Sequence, residues 1–337
     1  MEHLHHFHLS EDPFRNEPLL RYVFDSPQQR EALRRMDRAV RQAKGLCVLI
    51  GDVGSGKTMA VRQLLEDLEE EVFEASMMVV LNGAADATWM LTRFARQLGI
   101  EEPAPEREAL IAEVYDRLAI IREDGRHAVL IIDDAQALAA PQTLSEVCGL
   151  LKLEYEDRRL LSLVLAGIPK LAEALASDPV LSHRVDVKVN LAPLDVEASA
   201  AYLAHRLRVA RGDSGILEPT AVTALYELGR GIPGLMNTLA DNALFEAFLC
   251  GRAAVTSLDV ERAHRDLGWS PPEAAEPAPI SAPDAPLEEA PSASDPGLSG
   301  SLDTLDSELE AVFDVGALAP GDDAILDPTS PQAIGSI

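Results

Sequence analysis

The chain has 337 residues, 47% of them apolar and 4% aromatic, which is enough for one large or two ordinary domains around a buried core. Its formal charge of −27 argues against nonspecific polyanion binding, because phosphate contacts need clustered Lys and Arg. The charge is uneven: after Trp269 there are 14 acidic residues and no Lys or Arg, leaving 42 acids against 29 bases before it.

The opening MEHLHHFHLSEDPF has no apolar signal-peptide core, and no uncharged apolar run reaches the roughly 18 residues of a membrane span. A cytoplasmic location with no direct membrane span is therefore expected. His3, His5, His6 and His8 admit two readings: a metal tract, or an exposed segment whose Phe7 and Leu9 tuck onto the domain. No carboxylate or Cys stands at a supporting spacing, which favours the second. Cys47, Cys148 and Cys250 lie far apart in apolar contexts and read as reduced core thiols.

Residues 1–44 are expected to form an N-terminal segment and a helix packing on the core. In that helix, QQREALRRMDRAVRQAKG, Arg34, Arg38 and Arg41 share one face while Leu33, Met36 and Val40 share another. A solvated basic face and a phosphate-contacting face are both open.

From 45 to 192 near-continuous apolar runs alternate with helix-period segments. The runs are 45–51, 75–83, 127–135, 159–167 and 184–192; KTMAVRQLLEDLEEE, DATWMLTRFARQLG and EREALIAEVYDRLAIIRED lie between them. This pattern predicts an α/β domain with a parallel five-stranded sheet flanked by helices. After Pro193 the strands stop, and four helical stretches predict a small all-α lid over 193–269, with Pro219 near a helix start and Gly231 and Gly251 after helix ends. From 270 to 337 Pro, Ala, Ser, Asp and Glu dominate, predicting a disordered acidic tail. One island, SLDTLDSELEAVFDV (301–315), would put Leu302, Leu305, Leu309, Val312 and Phe313 on one helix face. It is either a chance pattern or a short helix that docks on a protein partner.

Gly51-Asp52-Val53-Gly54-Ser55-Gly56-Lys57-Thr58 fits G-x-x-x-x-G-K-[ST], after a buried strand and at the start of a helix. Glycines let successive N–H groups turn toward phosphate oxygens, and the helix N-terminus adds its dipole. With Met59, these residues are the candidate nucleotide site. Lys57 is expected at the β/γ-phosphates of ATP, and Thr58 on Mg²⁺. Four apolar residues then bury the strand leading to Asp133, the second candidate Mg²⁺ ligand, and Asp134 is placed to polarise the attacking water.

The spacing of about 75 residues between these motifs, with a helical lid after them, points to an AAA+ module. The opening EDPFRNEPLLRYVFDSPQQREALRRMDRAVRQAKGLCVLIGDVGSGKT resembles the start of ExeA/GspA-type AAA+ ATPases, the general secretion pathway protein A family. Asn82, IIDDAQAL, LAGIPKLAEAL, RVDVKVNLAPLDVEASAAYLAHRL and GIPGLMNTLADNAL continue the resemblance over roughly residues 5–268. More distantly, the module is similar to transposition-targeting ATPases. The resemblance implies ATP hydrolysis in a bacterial secretion or envelope-assembly system, and a homo-oligomer.

Departures from the family pattern concern hydrolysis. Family members usually carry Asp-Glu where this chain has Asp133-Asp134. Ile168 replaces a polar residue at the position resembling sensor 1, and Gly234 replaces the sensor-2 arginine; Arg230 precedes that turn. An arginine restored at 234 is expected to raise hydrolysis if the lid geometry follows the family. Arg184 resembles the arginine finger, a group acting on a neighbouring subunit's γ-phosphate, or is a surface arginine. The family's membrane span and peptidoglycan-binding region are not matched here. Slow ATPase or nucleotide switch is the leading expectation; a DNA-targeting or regulatory ATPase, with DNA disfavoured by charge, and a non-hydrolysing ATP-gated scaffold are the alternatives.

Overall fold

Three mostly apolar strands buried at every position, with alternate side chains facing opposite ways, build the centre of the molecule. The computed structural model describes residues 2–80, 86–138 and 140–269. In chain order the elements are α1 (Glu2–His6), α2 (Pro27–Arg41), β1 (Leu46–Gly51), α3 (Lys57–Asp67), β2 (Phe73–Val79), α4 (Ala87–Gln97), α5 (Arg107–Glu123) and β3 (His127–Asp133). They continue with α6 (Pro141–Gly149), β4 (Glu154–Tyr155), β5 (Arg158–Arg159), β6 (Leu161–Gly167), α7 (Pro169–Ser177), α8 (Pro179–Arg184) and β7 (Val185–Leu191). The lid is α9 (Val196–Val209), α10 (Pro219–Gly229), α11 (Pro233–Leu249) and α12 (Ser257–Asp266).

The main sheet is parallel in the order β2-β3-β6-β1-β7, and β4 and β5 form a separate antiparallel hairpin. Leu46, Val48, Ile50, Leu130, Ile132, Leu163 and Leu165 face one core, shared with helices α4 to α8. Cys47, Leu49, Val129, Ile131, Val164 and Ala166 face the other, with α2 and α3. This period of two, buried on both faces, is what made the strands read as unbroken apolar runs. The outer strand β7 alternates exposed and buried positions instead.

Boundaries differ from the sequence reading where a local pairing intervenes. β6 begins at Leu161 because Arg158 and Arg159 pair with Glu154 and Tyr155 in the hairpin. β2 starts at Phe73, in register with His127, and ends at Val79. Asn82 falls outside the described residues, as do the acidic tail and its 301–315 island. Arg184 closes helix α8 rather than opening a strand.

A separate apolar cluster holds the lid together: Leu203, Leu207, Leu225, Met236, Leu239, Leu244, Val255 and Val260. Asp195 caps α9, and Thr256 with Asp259 forms a capping box on α12, so the polar residues at these starts satisfy free helix N–H groups. Phe7, Leu9 and Phe14 are buried in this lid cluster. The start of the chain thus packs on the lid, while α2 packs on β7 and α3.

The histidine stretch lies along the lid surface. His3 meets Phe245 edge-on and Phe248 at a tilt, and His6 Nε2 lies 2.8 Å from the Arg252 carbonyl. No cluster of His, Cys, Asp and Glu suited to a metal ion occurs among the described residues. Cys47 and Cys148 are buried, and burial pushes both thiols up to about 12. Cys250 is exposed, contrary to its reading as a core thiol, because it sits past the end of α11 where the helix leaves the lid core. No helix among the described residues is long and apolar enough to cross a membrane.

Candidate functional site

The candidate site begins where β1 runs out. Gly54 and Gly56 adopt φ of +82° and +98°, left-handed conformations that side chains disfavour. Gly56 is the N-cap of α3, and no side chain caps that helix, so its first turn keeps N–H groups for a ligand. Lys57 is buried, with Nζ donating to the carbonyls of Gly51 (2.9 Å) and Asp52 (2.8 Å). Burial lowers its pKa, opposed by the charges of Asp133, Asp134 and Asp52. Val53 projects into solvent at 75% exposure.

Thr58 and Asp133, 75 residues apart in sequence, meet below the loop. The Thr58 hydroxyl donates to Asp133 Oδ2 at 2.6 Å. Asp133 is 2% exposed, and its Oδ1 is buried with no hydrogen-bond partner. A buried carboxylate oxygen in that state is costly unless a cation or a proton satisfies it. Burial accordingly raises the Asp133 pKa, the Thr58 bond working against the shift. Ser55 Oγ is also buried without a partner. This donor set, hard oxygens beside uncapped helix N–H groups, fits a divalent cation with a phosphate chain.

Asp134 turns the other way. It takes φ +55° and is exposed at the cavity, where Gln136 Nε2 donates to its Oδ1 at 3.0 Å. A cavity of about 570 Å³ opens above the loop, lined by Val53 to Met59, Asp134, Gln136 and Ile168. Its far wall combines the strap before α2 (Asn16, Tyr22, Phe24) with lid residues Tyr202, Asn237 and Thr238.

The family resemblance covered these wall residues, but their contacts were not legible, because those between Asn16 and Asn237 or Thr238 join segments about 220 residues apart. Tyr202 donates to Asn237 Oδ1 (2.9 Å), Asn237 to Asn16 Oδ1 (3.1 Å), Asn16 to the Thr238 hydroxyl (3.0 Å), and that hydroxyl to the Gly234 carbonyl (3.1 Å). Buried Arg206 of α9 donates to the carbonyls of Pro13 and Arg15 and lies over the Tyr22 ring. The aromatic and proline pattern EDPFRNEP marked the strap but not its lid partners.

Gly234 is where the structure corrects the sequence most. Its N–H donates to the Gly54 carbonyl at 2.9 Å, and a Cβ placed on it would lie 2.9 Å from Gly54 Cα. The position therefore has no room for the arginine envisaged there, and the lid touches the loop directly. Arg230 caps α10 in a left-handed conformation. Arg184 Nη1 donates to the Cys148 carbonyl near the end of α6 at 2.7 Å, and Arg184 does not line the cavity.

The AAA domain family model matches residues 40–175. The chain is 30% identical to general secretion pathway protein A of Aeromonas hydrophila over 260 residues, which is 76% of this chain and 47% of that protein. It is 28% identical to an ORC1-type DNA replication protein of Cenarchaeum symbiosum over 246 residues, 68% of this chain and 55% of that one. The chain thus spans about half the length of these curated relatives. The crystal structure of Cdc6p from Pyrobaculum aerophilum has a similar fold, with a TM-score of 0.61 at 20% identity, covering 77% of this chain and 71% of that one. Residues 40–175 are therefore an AAA domain, and the chain has the AAA+ fold of the P-loop NTPases.

Proposed function

We propose that this protein binds ATP with Mg²⁺ above the loop at Gly51–Thr58 and hydrolyses it slowly, as a switch in a bacterial secretion or envelope-assembly system. The observation that carries the reading is the Thr58–Asp133 pair: one carboxylate oxygen is held by the hydroxyl, the other is buried and unpartnered. Thr58 and Asp133 would hold the ion, which when bound neutralises charge on the phosphates. Loop N–H groups and the α3 N-terminus would take the phosphate oxygens, with Lys57 exchanging its carbonyl partners for them. The strap and lid wall, with Tyr22, Phe24 and Tyr202, offers aromatic surface suited to a base.

Asp134 would orient the attacking water. Slow turnover is argued from Ile168 and Gly234, which bring no polar side chain to the γ-phosphate end. Arg184 could supply that charge to a neighbouring subunit only by leaving the Cys148 carbonyl. A homo-oligomer, a cytoplasmic location and a protein partner for the acidic tail belong to the same reading. The secretion role is supported by the similarity to general secretion pathway protein A. Phosphate release from Mg²⁺–ATP beside a binding titration tests it: binding near micromolar with turnover well below one per second is expected. Absence of binding overturns it.

The similarity to an ORC1-type DNA replication protein favours a second reading, a DNA-associated ATPase. Against it, Arg41 of the Arg34, Arg38 and Arg41 face is paired with Asp37 and Glu69. Salt-sensitive DNA binding would favour this reading over the first.

A further inference from the structure

We propose that Gln136 is a positioning residue for Asp134, tying its carboxylate to the end of the neighbouring strand β6. The proposal rests on the reading of Asp134 as the group that orients water. Gln136 lies in the short 3-10 turn Ala135–Leu138 directly after β3. Its Oε1 accepts from the backbone N–H of Ile168 at 3.2 Å, and its Nε2 donates to Asp134 Oδ1 at 3.0 Å. A backbone N–H only donates, so the amide oxygen must face Ile168 and the NH₂ must face Asp134. The orientation is dictated by the chemistry of both neighbours.

Two further features fit this role. Asp134 is exposed and sits in a left-handed conformation, so packing alone does not immobilise its side chain. The end of β6 is also shaped for the glutamine: a Cβ on Gly167 would lie 3.0 Å from Gln136 Oε1 and 2.8 Å from Leu171 Cδ2. Ile168 and Gln136 both line the cavity, and the polar group at this end of β6 comes from Gln136. The bond engages Oδ1 of Asp134, so Oδ2 is the oxygen left for water.

The test uses the full chain with Mg²⁺–ATP, comparing wild type with Gln136→Glu, Gln136→Leu and Asp134→Asn. Glutamate keeps an acceptor for the Ile168 N–H but turns a carboxylate oxygen toward Asp134; leucine removes both bonds. Expected is a kcat lowered by about tenfold or more in both Gln136 variants, with ATP affinity within about threefold of wild type. Wild-type kcat in Gln136→Glu overturns the proposal, since a glutamine that merely anchored β6 would be replaced by glutamate without loss. Unchanged kcat in Asp134→Asn instead removes the reading of Asp134, and the role of Gln136 with it. If wild-type turnover is too slow to measure, crystal structures of wild type and Gln136→Glu decide. A displaced Asp134 carboxylate in the variant is expected; an unmoved one overturns the proposal.

Discussion

The N–H of Gly234 donates to the carbonyl of Gly54 at 2.9 Å, so the first turn of lid helix α11 rests on the loop at Gly51–Thr58 itself. Two glycines meet because neither backbone tolerates a Cβ at this distance: one on Gly54 would lie 3.2 Å from Gly234 Cα, and Gly54 is left-handed. Lid and loop are therefore mechanically joined. The hydrogen-bond chain through Thr238, Asn16, Asn237 and Tyr202 extends that joint to the strap.

Gly234→Ala should strain this contact, with a loss of about 1–3 kcal/mol typical of overpacking. Thermal unfolding of the variant reads the loss directly. Gly234→Arg should be at least as destabilising and should not raise ATP turnover. A stable, faster Gly234→Arg variant would contradict the joint.

Arg206 should matter more for nucleotide affinity than its distance from the loop suggests. It is buried and carries two strap carbonyls and the Tyr22 ring. Arg206→Met is expected to cost about 2–4 kcal/mol, since it strands one buried and one part-buried acceptor. ATP affinity should fall with it, because strap residues form a cavity wall. Unaltered affinity in a variant that still folds would separate strap from site.

His127 should give the fold an acid-side pH dependence. Ser162 Oγ donates to the Lys44 carbonyl, so it accepts from His127 Nε2–H, leaving Nδ1 buried, unprotonated and unpartnered. Burial pushes this imidazole down to about 4. The unfolded chain binds the proton first, near pH 6.5, so stability is full above that value and falls as pH drops toward 4. The loss should reach about 3 kcal/mol at most. Denaturant unfolding at pH 7 and pH 4.5 should show it, with a smaller difference in His127→Gln. Equal slopes in the two proteins would assign the acid sensitivity to other groups.

The site divides by how local its determinants are. Gly51 to Thr58 was legible because the loop's shape is set by its own glycines, and Asp133 because a strand buried on both faces must be apolar until it ends. The four lid helices were legible from their periodicity and caps. Gln136 was not, since its role needs the end of β6 to lie beside β3, a pairing between distant segments. Gly234 misled for a related reason: as sequence it was a missing side chain, whereas in the fold it is a close approach of two backbones.

The central claim, ATP held with Mg²⁺ by Thr58 and Asp133, is tested most directly by calorimetric titration of the full chain with ATP, with and without Mg²⁺. Wild type should bind one ATP per chain, at least about tenfold more tightly when Mg²⁺ is present, and Asp133→Ala should lose that Mg²⁺ dependence while staying folded. Binding that is indifferent to Mg²⁺ in wild type, or a Mg²⁺ effect that survives in Asp133→Ala, would contradict the account.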